Sequence, residues 1–585
     1  MSKTKLRRYI LPYKKEILWT LLATWISVAT NLCLPFFIRQ IIDGLAEKTL
    51  NTTSLSYHVS AFAGLGIVAI FFSRILRKIP LKLSHKVEYD LRKELFAHLL
   101  LLDQSFFQTT RTGDLMTRMS SDLQLVRDAI GQGLLQGIRT LTVLLFSAIV
   151  MFLIDPQMAS LIFALYLPMI LIFFLIIRVM RRHQKSLQEH VSEVANFSQE
   201  SFAGIRTLKG FALENRRNKQ FKNLNTGLIK KNMLLQASRQ SLWPFMALWS
   251  SLGMLLILNI GGRRIIHNEI TLGTLTQFIQ YLLYMQWPLL ALSWTSSLIQ
   301  RGRVSWKRIC EILEQEPAIQ SPTPPLSPPV PPSLSTINFK NISLEINQTP
   351  LLTDINLHLP AGTFLGITGP TGSGKTLLVS LVARLIDPTT GTLLIDGQDA
   401  KTYPLESLRK RIGFAAQEAT LFSRTLAHNI GFGLTNPSSK QIRWAAEMAH
   451  FHSEIETFPK KYQTILGERG VTLSGGQRQR TAISRAIARN PAILVLDDVL
   501  SAVDTHTEAK IMKNLQPIIK NQTTLFVSHR ISTLRYADEI IVIEAGRITQ
   551  RGTHQQLLAQ PGYYSEINTL QQLEHEDDAR GESIV

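Results

Sequence analysis

The chain has 585 residues, 45% of them apolar, which excludes a disordered polar polypeptide. Its net charge is +20, and the excess lies entirely in the front part: residues 1–315 hold 38 basic and 18 acidic side chains, whereas residues 316–585 hold 25 of each. A basic front that is also the apolar part points to a membrane protein rather than a nucleic-acid binder, and two cysteines, Cys33 and Cys310, exclude a disulfide framework.

The start, Met1 to Lys15, is basic and leads into an apolar run too long for a signal sequence, so no cleavable signal peptide is expected. Six stretches are free of Asp and Glu and almost free of Lys and Arg: 17–38, 49–73, 129–154 (broken by Arg139), 156–177, 240–262 and 270–300. A helix needs about 20 apolar residues to cross a bilayer, so six spans are expected, near 17–38, 53–73, 132–154, 156–177, 240–262 and 274–297. The N-terminus, segments 74–128 and 178–239, and the stretch after the sixth run carry 33 basic residues; the alternate connections carry 4. That asymmetry places both termini and the two long segments on the cytoplasmic side. Those segments are too long for bare loops. Val87, Leu91, Leu95 and Leu99 recur at helical spacing, so the spanning helices are expected to continue into the cytoplasm.

Two passages in these arms, Phe106–Arg118 and Gly204–Glu214, put breaks between helical stretches. Each reads as a polar turn or as a tip that docks on a partner domain. The absence of intramembrane carboxylates argues against proton coupling. Arg139 either faces a substrate cavity or snorkels to the interface. Gln277, Gln280, Gln286, Trp287 and Trp294 on the sixth run either line a cavity or serve packing and interfacial anchoring.

Pro322 to Pro332 holds seven prolines in eleven residues, neither helix nor central strand, and marks a linker at 316–335. Beyond it, short apolar runs alternate with helical stretches, as in an α/β domain with a central sheet. Phe364–Thr368 reads as a strand, and Leu377–Ile386 as a helix. Between them stand Gly369, Pro370, Thr371, Gly372, Ser373, Gly374, Lys375 and Thr376, the pattern of a phosphate-binding loop in its required context. Backbone N–H groups and the helix N-terminus cradle phosphates, Lys375 reaches the terminal ones, and the Thr376 hydroxyl suits Mg²⁺. The apolar strand 492–497 ends in Asp497, a second Mg²⁺ contact, and Asp498 follows where a water-activating base can sit. Leu473-Ser474-Gly475-Gly476-Gln477 opens a basic helix and makes a second anion site, which points to a composite nucleotide site across two subunits.

Taken together, these residues resemble the ATP-binding cassette (ABC) transporter family, in particular exporters with fused membrane and nucleotide domains, over about residues 10–570. The resemblance implies a multidomain chain. Residues 1–315 would be a six-helix all-α transmembrane domain with long cytoplasmic extensions. Residues 336–575 would be an α/β P-loop ATPase domain, and 576–585 a solvated acidic tail. It further implies that Gln417 senses Mg²⁺ and the membrane domain. Residues 467–470 correspond to the exporter X-loop, Ser474–Gln477 to the signature, Ser501–Asp504 to the D-loop and His529 to the switch histidine. The Gly113-Asp114 and Gly204-Ile205-Arg206 passages become the coupling-helix regions. ATP and Mg²⁺ are then the expected ligands, and a chain with one ATPase domain is half of a dimer.

Two positions depart from the family pattern. Asp498 stands where active members have Glu, one methylene short of the attacking water. Ile346 stands where the family stacks an aromatic ring on adenine. An altered catalytic position beside an intact signature resembles the degenerate-site subunit of heterodimeric exporters. The expectation is therefore an ATP-driven exporter of hydrophobic or amphipathic small molecules in a bacterial inner membrane, paired with a different half-transporter. The alternatives are a homodimeric lipid flippase, in which Arg139 and Arg74 meet an anionic head group, and an ATP-gated channel or regulator.

Overall fold

The computed structural model describes residues 6–322, 334–346, 348–467 and 473–582. Most of the proline-rich stretch and residues 468–470 of the expected X-loop lie outside the described residues. Contacts divide the chain into two units, residues 1–100 with 110–315, and residues 101–109 with 316–585.

The first unit is helical. Its main elements are α1 (Lys14–Ala46), α2 (Thr52–Leu99), α3 (Leu134–Ile154), α4 (Pro156–Ala203), α5 (Glu214–Gln240), α6 (Leu242–Ile266) and α7 (Leu272–Leu313). Helical turns from Thr112 lead directly into α3. Among the described residues five helices are long and apolar enough to cross a membrane: 7–46, 52–99, 112–154, 156–203 and 214–266. The sixth expected run falls on α7, a 42-residue helix. The polar arms are helical as expected, since α2 and α4 each run for 48 residues, well beyond their apolar stretches.

Carboxylates fix two helix starts. Asp155 precedes Pro156 and is extended, as a residue before proline prefers. Its Oδ1 accepts the Met158 N–H (2.9 Å) and its Oδ2 pairs with Arg264 (2.7 Å). The Asp43 carboxylate accepts the Gly273 N–H (2.7 Å) and the Thr271 hydroxyl (2.8 Å), which ties the end of α1 to the start of α7. Val28, Met151, Met158, Ile162, Phe278 and Tyr281 form the core of this unit. Tyr281 donates to the Leu32 carbonyl at 2.8 Å.

Both arm passages hold the expected breaks between helical stretches. Ile205–Gly210 is a separate short helix between α4 and α5, as the Gly204 passage implied. In the other arm the separate helix is Gln104–Thr109. Gly113 and Asp114 already belong to the next helix, Thr112–Thr117, where Asp114 pairs with Arg118 (2.8 Å) and with Arg308. These pairings, one four residues away and one 194 away, stabilise helix where the local Gly-Asp sequence reads as a turn.

The second unit holds two sheets. An antiparallel four-stranded sheet has the order β2-β1-β4-β5, with β1 Ile337–Ile346, β2 Thr349–Leu359, β4 Thr390–Ile395 and β5 Gln398–Asp399. The central sheet has the order β10-β9-β3-β8-β7-β6. Its strands are β3 Phe364–Thr368, β6 Ile412–Ala415, β7 Ile493–Asp497, β8 Thr523–Val527, β9 Glu539–Glu544 and β10 Arg547–Gly552. Neighbours from β9 to β6 are parallel, and β10 is antiparallel. Strands β3, β7 and β8 are buried along their whole length, which is why they read as continuous apolar runs. The β3 and β7 C-terminal ends, separated by β8, place the loop 369–376 and Asp497 at one edge of the sheet.

Candidate nucleotide site

The loop after β3 turns through three glycines in the left-handed region, Gly369 (φ +142°), Gly372 (+80°) and Gly374 (+103°). A Cβ on Gly369 would stand 2.0 Å from the Ile543 carbonyl oxygen of β9, so only glycine fits there. The loop opens helix α8 (Lys375–Val382). Lys375 is buried and folds back over its own loop, donating to the Gly369 (2.8 Å) and Pro370 (2.7 Å) carbonyls. Burial pushes its ammonium below the usual lysine range, and Asp498 and Asp497 oppose that shift.

Thr376 donates to Asp497 Oδ1 at 3.2 Å. The other Asp497 oxygen, Oδ2, is buried without a hydrogen-bond partner, as is the Ser373 hydroxyl. Burial raises the Asp497 carboxyl above the ordinary range. Oxygen ligands facing a buried, unpartnered carboxylate atom fit a hard divalent cation. Among the described residues no cluster of three or more His, Cys, Asp or Glu forms a metal site, so any cation here would share its coordination with phosphate oxygens or water.

Asp498 is left-handed (φ +48°), a region aspartate tolerates better than most residues. Its N–H is fixed on the Val527 carbonyl at 3.0 Å. Gln417, exposed just after β6, reaches Asp498 Oδ2 at 3.4 Å. Burial raises the Asp498 carboxyl, while His529 and Gln417 pull it down. His529 is lowered by burial and by Lys375. The structure thus brings Lys375, Thr376, Gln417, Asp497, Asp498 and His529 together around the loop.

Ser474 caps helix α9 (Gly475–Ile487) in a capping box: its hydroxyl accepts the Gln477 N–H at 3.2 Å, and Gln477 Oε1 accepts the Ser474 N–H at 2.8 Å. At the first two positions of the helix, the Gly475 and Gly476 N–H groups have no intrahelical acceptor. Among the described residues the Ser474–Gln477 group makes no hydrogen bond to the loop 369–376 of its own chain. Ile346, at the end of β1, is exposed (39%). The hairpin it terminates approaches that loop, since a Cβ on Gly374 would meet Leu352 of β2 at 2.8 Å.

Four groups escaped the sequence reading. Gln479 accepts the Ala502 N–H (2.9 Å) and donates to Ser501 (2.8 Å), tying α9 to the segment after β7. Glu454 accepts from Gln477 and from Arg480. Arg530 pairs with Glu508 and donates to the Val503 carbonyl (2.9 Å). Gln571 donates to the His529 carbonyl (2.7 Å) and accepts the Ile531 N–H (2.9 Å). Only Gln479, two residues beyond Gln477, carried any local signal.

A phosphate-binding loop on a parallel sheet, joined to long apolar helices, defines a P-loop nucleotidase fused to a membrane unit. Known proteins carry the reading further. Residues 17–289 match the family model for the ABC transporter transmembrane region, and residues 352–501 the one for the ABC transporter. The chain is 33% identical over 583 residues to the uncharacterized ABC transporter ATP-binding protein YknU of Bacillus subtilis (strain 168), covering 97% of each. It is 31% identical to a putative multidrug export ATP-binding/permease protein of Staphylococcus aureus (strain NCTC 8325 / PS 47), covering 97% of this chain and 99% of that one. The solved structure of a bacterial Atm1-family ABC exporter with ATP bound superposes with a TM-score of 0.77 at 24% identity, over 95% of this chain and 98% of that one. The chain belongs to the ABC transporter family, with transmembrane and ATP-binding domains fused, and it is a multi-pass membrane ATPase. As a half-transporter it requires a partner subunit.

Proposed function

We propose that this chain is one half of a heterodimeric exporter that moves hydrophobic or amphipathic small molecules out across a bacterial inner membrane. Residues 1–315 would be its six-span domain, residues 336–575 its ATPase, and both termini cytoplasmic. The observation that carries the pairing is Asp498: an aspartate held by its backbone on β8, in a chain whose intact Ser474–Gln477 group, among the described residues, makes no hydrogen bond to its own nucleotide loop.

Gly369–Thr376 would cradle the ATP phosphates with backbone N–H groups, and Lys375 would exchange its loop carbonyls for phosphate oxygens. Ile346 would cover the adenine by apolar contact. Thr376, Asp497 and Gln417 would hold Mg²⁺, which neutralises phosphate charge when bound. Asp498 would accept the proton of the attacking water from one methylene too far, with His529 steadying the terminal phosphate, so this site turns over slowly. The free Gly475 and Gly476 N–H groups would complete the partner's site. Differential affinity for ATP in closed and open states supplies the directional work.

The substrate class is supported by a cavity of about 540 Å³ lined by Leu32, Phe36, Phe146, Ile149, Leu153 and other apolar groups of α1 and α3, with Gln277 and Tyr281 of α7. The test is ATP-driven accumulation of a hydrophobic dye in inside-out vesicles carrying this chain with and without a candidate partner half-transporter. Accumulation only with the partner is the expected result, and accumulation by this chain alone contradicts it.

A further inference from the structure

Among the described residues the His529 imidazole makes no hydrogen bond, although Lys375 and Asp498 act on it electrostatically. Its place is therefore set by the backbone that carries it, and that backbone is held from three sides. Ser528, the residue after β8, donates its N–H to the Ile367 carbonyl of β3 at 3.1 Å. Beyond His529, the anchor is Glu508 on helix α10 (Thr505–Ile519), only 3% exposed. Its Oε1 accepts the Ser532 (2.8 Å) and Thr533 (2.7 Å) hydroxyls, and its Oε2 pairs with Arg530. These two anchors hold residue 528 and residues 530, 532 and 533. Neither holds His529.

The third does. Gln571 lies on helix α11 (Tyr563–Glu582). Its Nε2 donates to the His529 carbonyl at 2.7 Å, and its Oε1 accepts the Ile531 N–H at 2.9 Å. One side-chain amide thus pairs with the chain on both sides of Arg530, as the peptide of a neighbouring strand would. Ile531 opens the short helix Ile531–Leu534, so its N–H has no intrahelical acceptor and needs this partner. Among the described residues the bond from Gln571 is the only hydrogen bond that His529 makes.

The amide is itself firmly seated. Tyr564 of α11 is fully buried, its hydroxyl lies 2.7 Å from His554 Nδ1, and its N–H donates to Gln550 Oε1 at 3.2 Å. Ile567 packs against the core of the ATPase domain. Tyr564, Ile567 and Gln571 follow one another at spacings of three and four, so one face of α11 carries both the seat and the amide. Leu570 and Leu573 are exposed. A side chain on a docked helix face is a rigid support, whereas the segment 528–530 is irregular and has no ladder of its own to fix the histidine.

We propose that Gln571 is a positioning residue for ATP hydrolysis: through its amide, α11 sets where the His529 imidazole meets the terminal phosphate. Gln571 acts only through the His529 peptide, from 42 residues further along the chain. The proposal rests on the reading of His529 as the group that steadies the terminal phosphate, and not on whether the transporter is a heterodimer.

The test reads this chain's own site in the purified transporter in nanodiscs, whichever half-transporter completes it. Photoreactive azido-ATP, radiolabelled at its α-phosphate, is crosslinked and the label on this chain is counted. Label taken up on ice reports binding, and label trapped on warming with vanadate reports turnover. Asp498→Glu is the parent for every variant, so that all are compared at one base. Gln571→Met keeps the side-chain volume and removes both bonds. Trapping is expected to fall about 10-fold, within the cost of up to about 100-fold for a misplacement near 1 Å, while binding stays within twofold. Gln571→Glu keeps the acceptor for Ile531 and loses the donor to His529, so trapping should fall at least as far. Leu570→Ala, on the exposed side of α11, should change neither readout. His529→Ala should lower trapping further than either Gln571 variant. If His529→Ala lowers trapping and Gln571→Met leaves it within twofold, the positioning role is overturned. Binding that falls in parallel with trapping overturns it as well, since that marks a general loss of structure. If His529→Ala has no effect, the role assigned to His529 is overturned and this proposal with it.

Discussion

Asp498→Glu is the most informative single change in the nucleotide site. The Asp498 backbone is fixed, with its N–H on the Val527 carbonyl at 3.0 Å, so the carboxylate cannot advance by moving the chain. It also accepts a hydrogen bond from Gln417, whose amide lies 3.4 Å from Oδ2. A general base must come within about 2.6–3.2 Å of the proton it takes. One added methylene extends the reach by somewhat more than 1 Å, and a misplacement of that size costs about 100-fold in rate. Asp498→Glu is therefore expected to raise ATP turnover at this site about 10- to 100-fold, a barrier lower by about 1.4–2.7 kcal/mol. The assay is phosphate release from the purified transporter in nanodiscs at saturating ATP, with ATP affinity measured alongside. Since the added methylene acts on the water and not on the phosphate loop, kcat should change and KM should not. A turnover within twofold of the native value refutes the argument that the base is too short.

Other changes have equally definite outcomes. Gly369→Ala would place a Cβ 2.0 Å from the Ile543 oxygen in a left-handed backbone, so ATP binding measured by fluorescent-nucleotide titration should be lost even if the sheet folds. Glu454→Ala frees Gln477 and leaves Arg480, only 13% exposed at its side chain, without its carboxylate; the ATPase domain should lose about 1–3 kcal/mol in a denaturant titration. Asp43→Ala removes two hydrogen bonds that start α7 and should cost about 1–2 kcal/mol, read as a lower Tm in detergent. Thiol labelling with a small apolar maleimide should modify Cys33, which is exposed and lines the larger cavity, before the buried Cys310 reacts; equal rates would contradict the cavity's accessibility.

Much of this architecture is legible locally. The loop from Gly369 to Thr376, its strand and its helix occupy consecutive residues, so spacing alone carries the geometry. Asp497 is legible because a fully buried parallel strand must read as an apolar run and must stop where a charge appears. The helical arms are legible from the four-residue recurrence in α2. The four-stranded antiparallel sheet is not: β1 pairs with β2 through several bulges, and strict alternation is broken just where it would have signalled strands. The contacts that hold the signature and switch segments join residues 23 to 42 apart, Glu454 to Gln477 and Gln571 to His529, and no local pattern encodes such pairings. The helical state of Gly113 and Asp114 has the same origin, since Asp114 pairs with Arg308, far along the chain. Arg139 lay between two readings in the sequence. In the structure it is one of the residues lining a space of about 160 Å³ between α3 and α7, which is visible only once those helices are packed.

The central claim is that this chain hydrolyses ATP slowly at its own site and serves a different partner. It is tested most directly by measuring the ATPase rate and the oligomeric mass of the purified chain alone in lipid nanodiscs, on one sample. A monomeric or nearly inactive chain, with turnover well below about 1 s⁻¹, the lower end of the usual enzyme range, is the predicted result. A stable dimer of this chain turning over at about 1 s⁻¹ or faster would show Asp498 to be an adequate base and the transporter to be a homodimer.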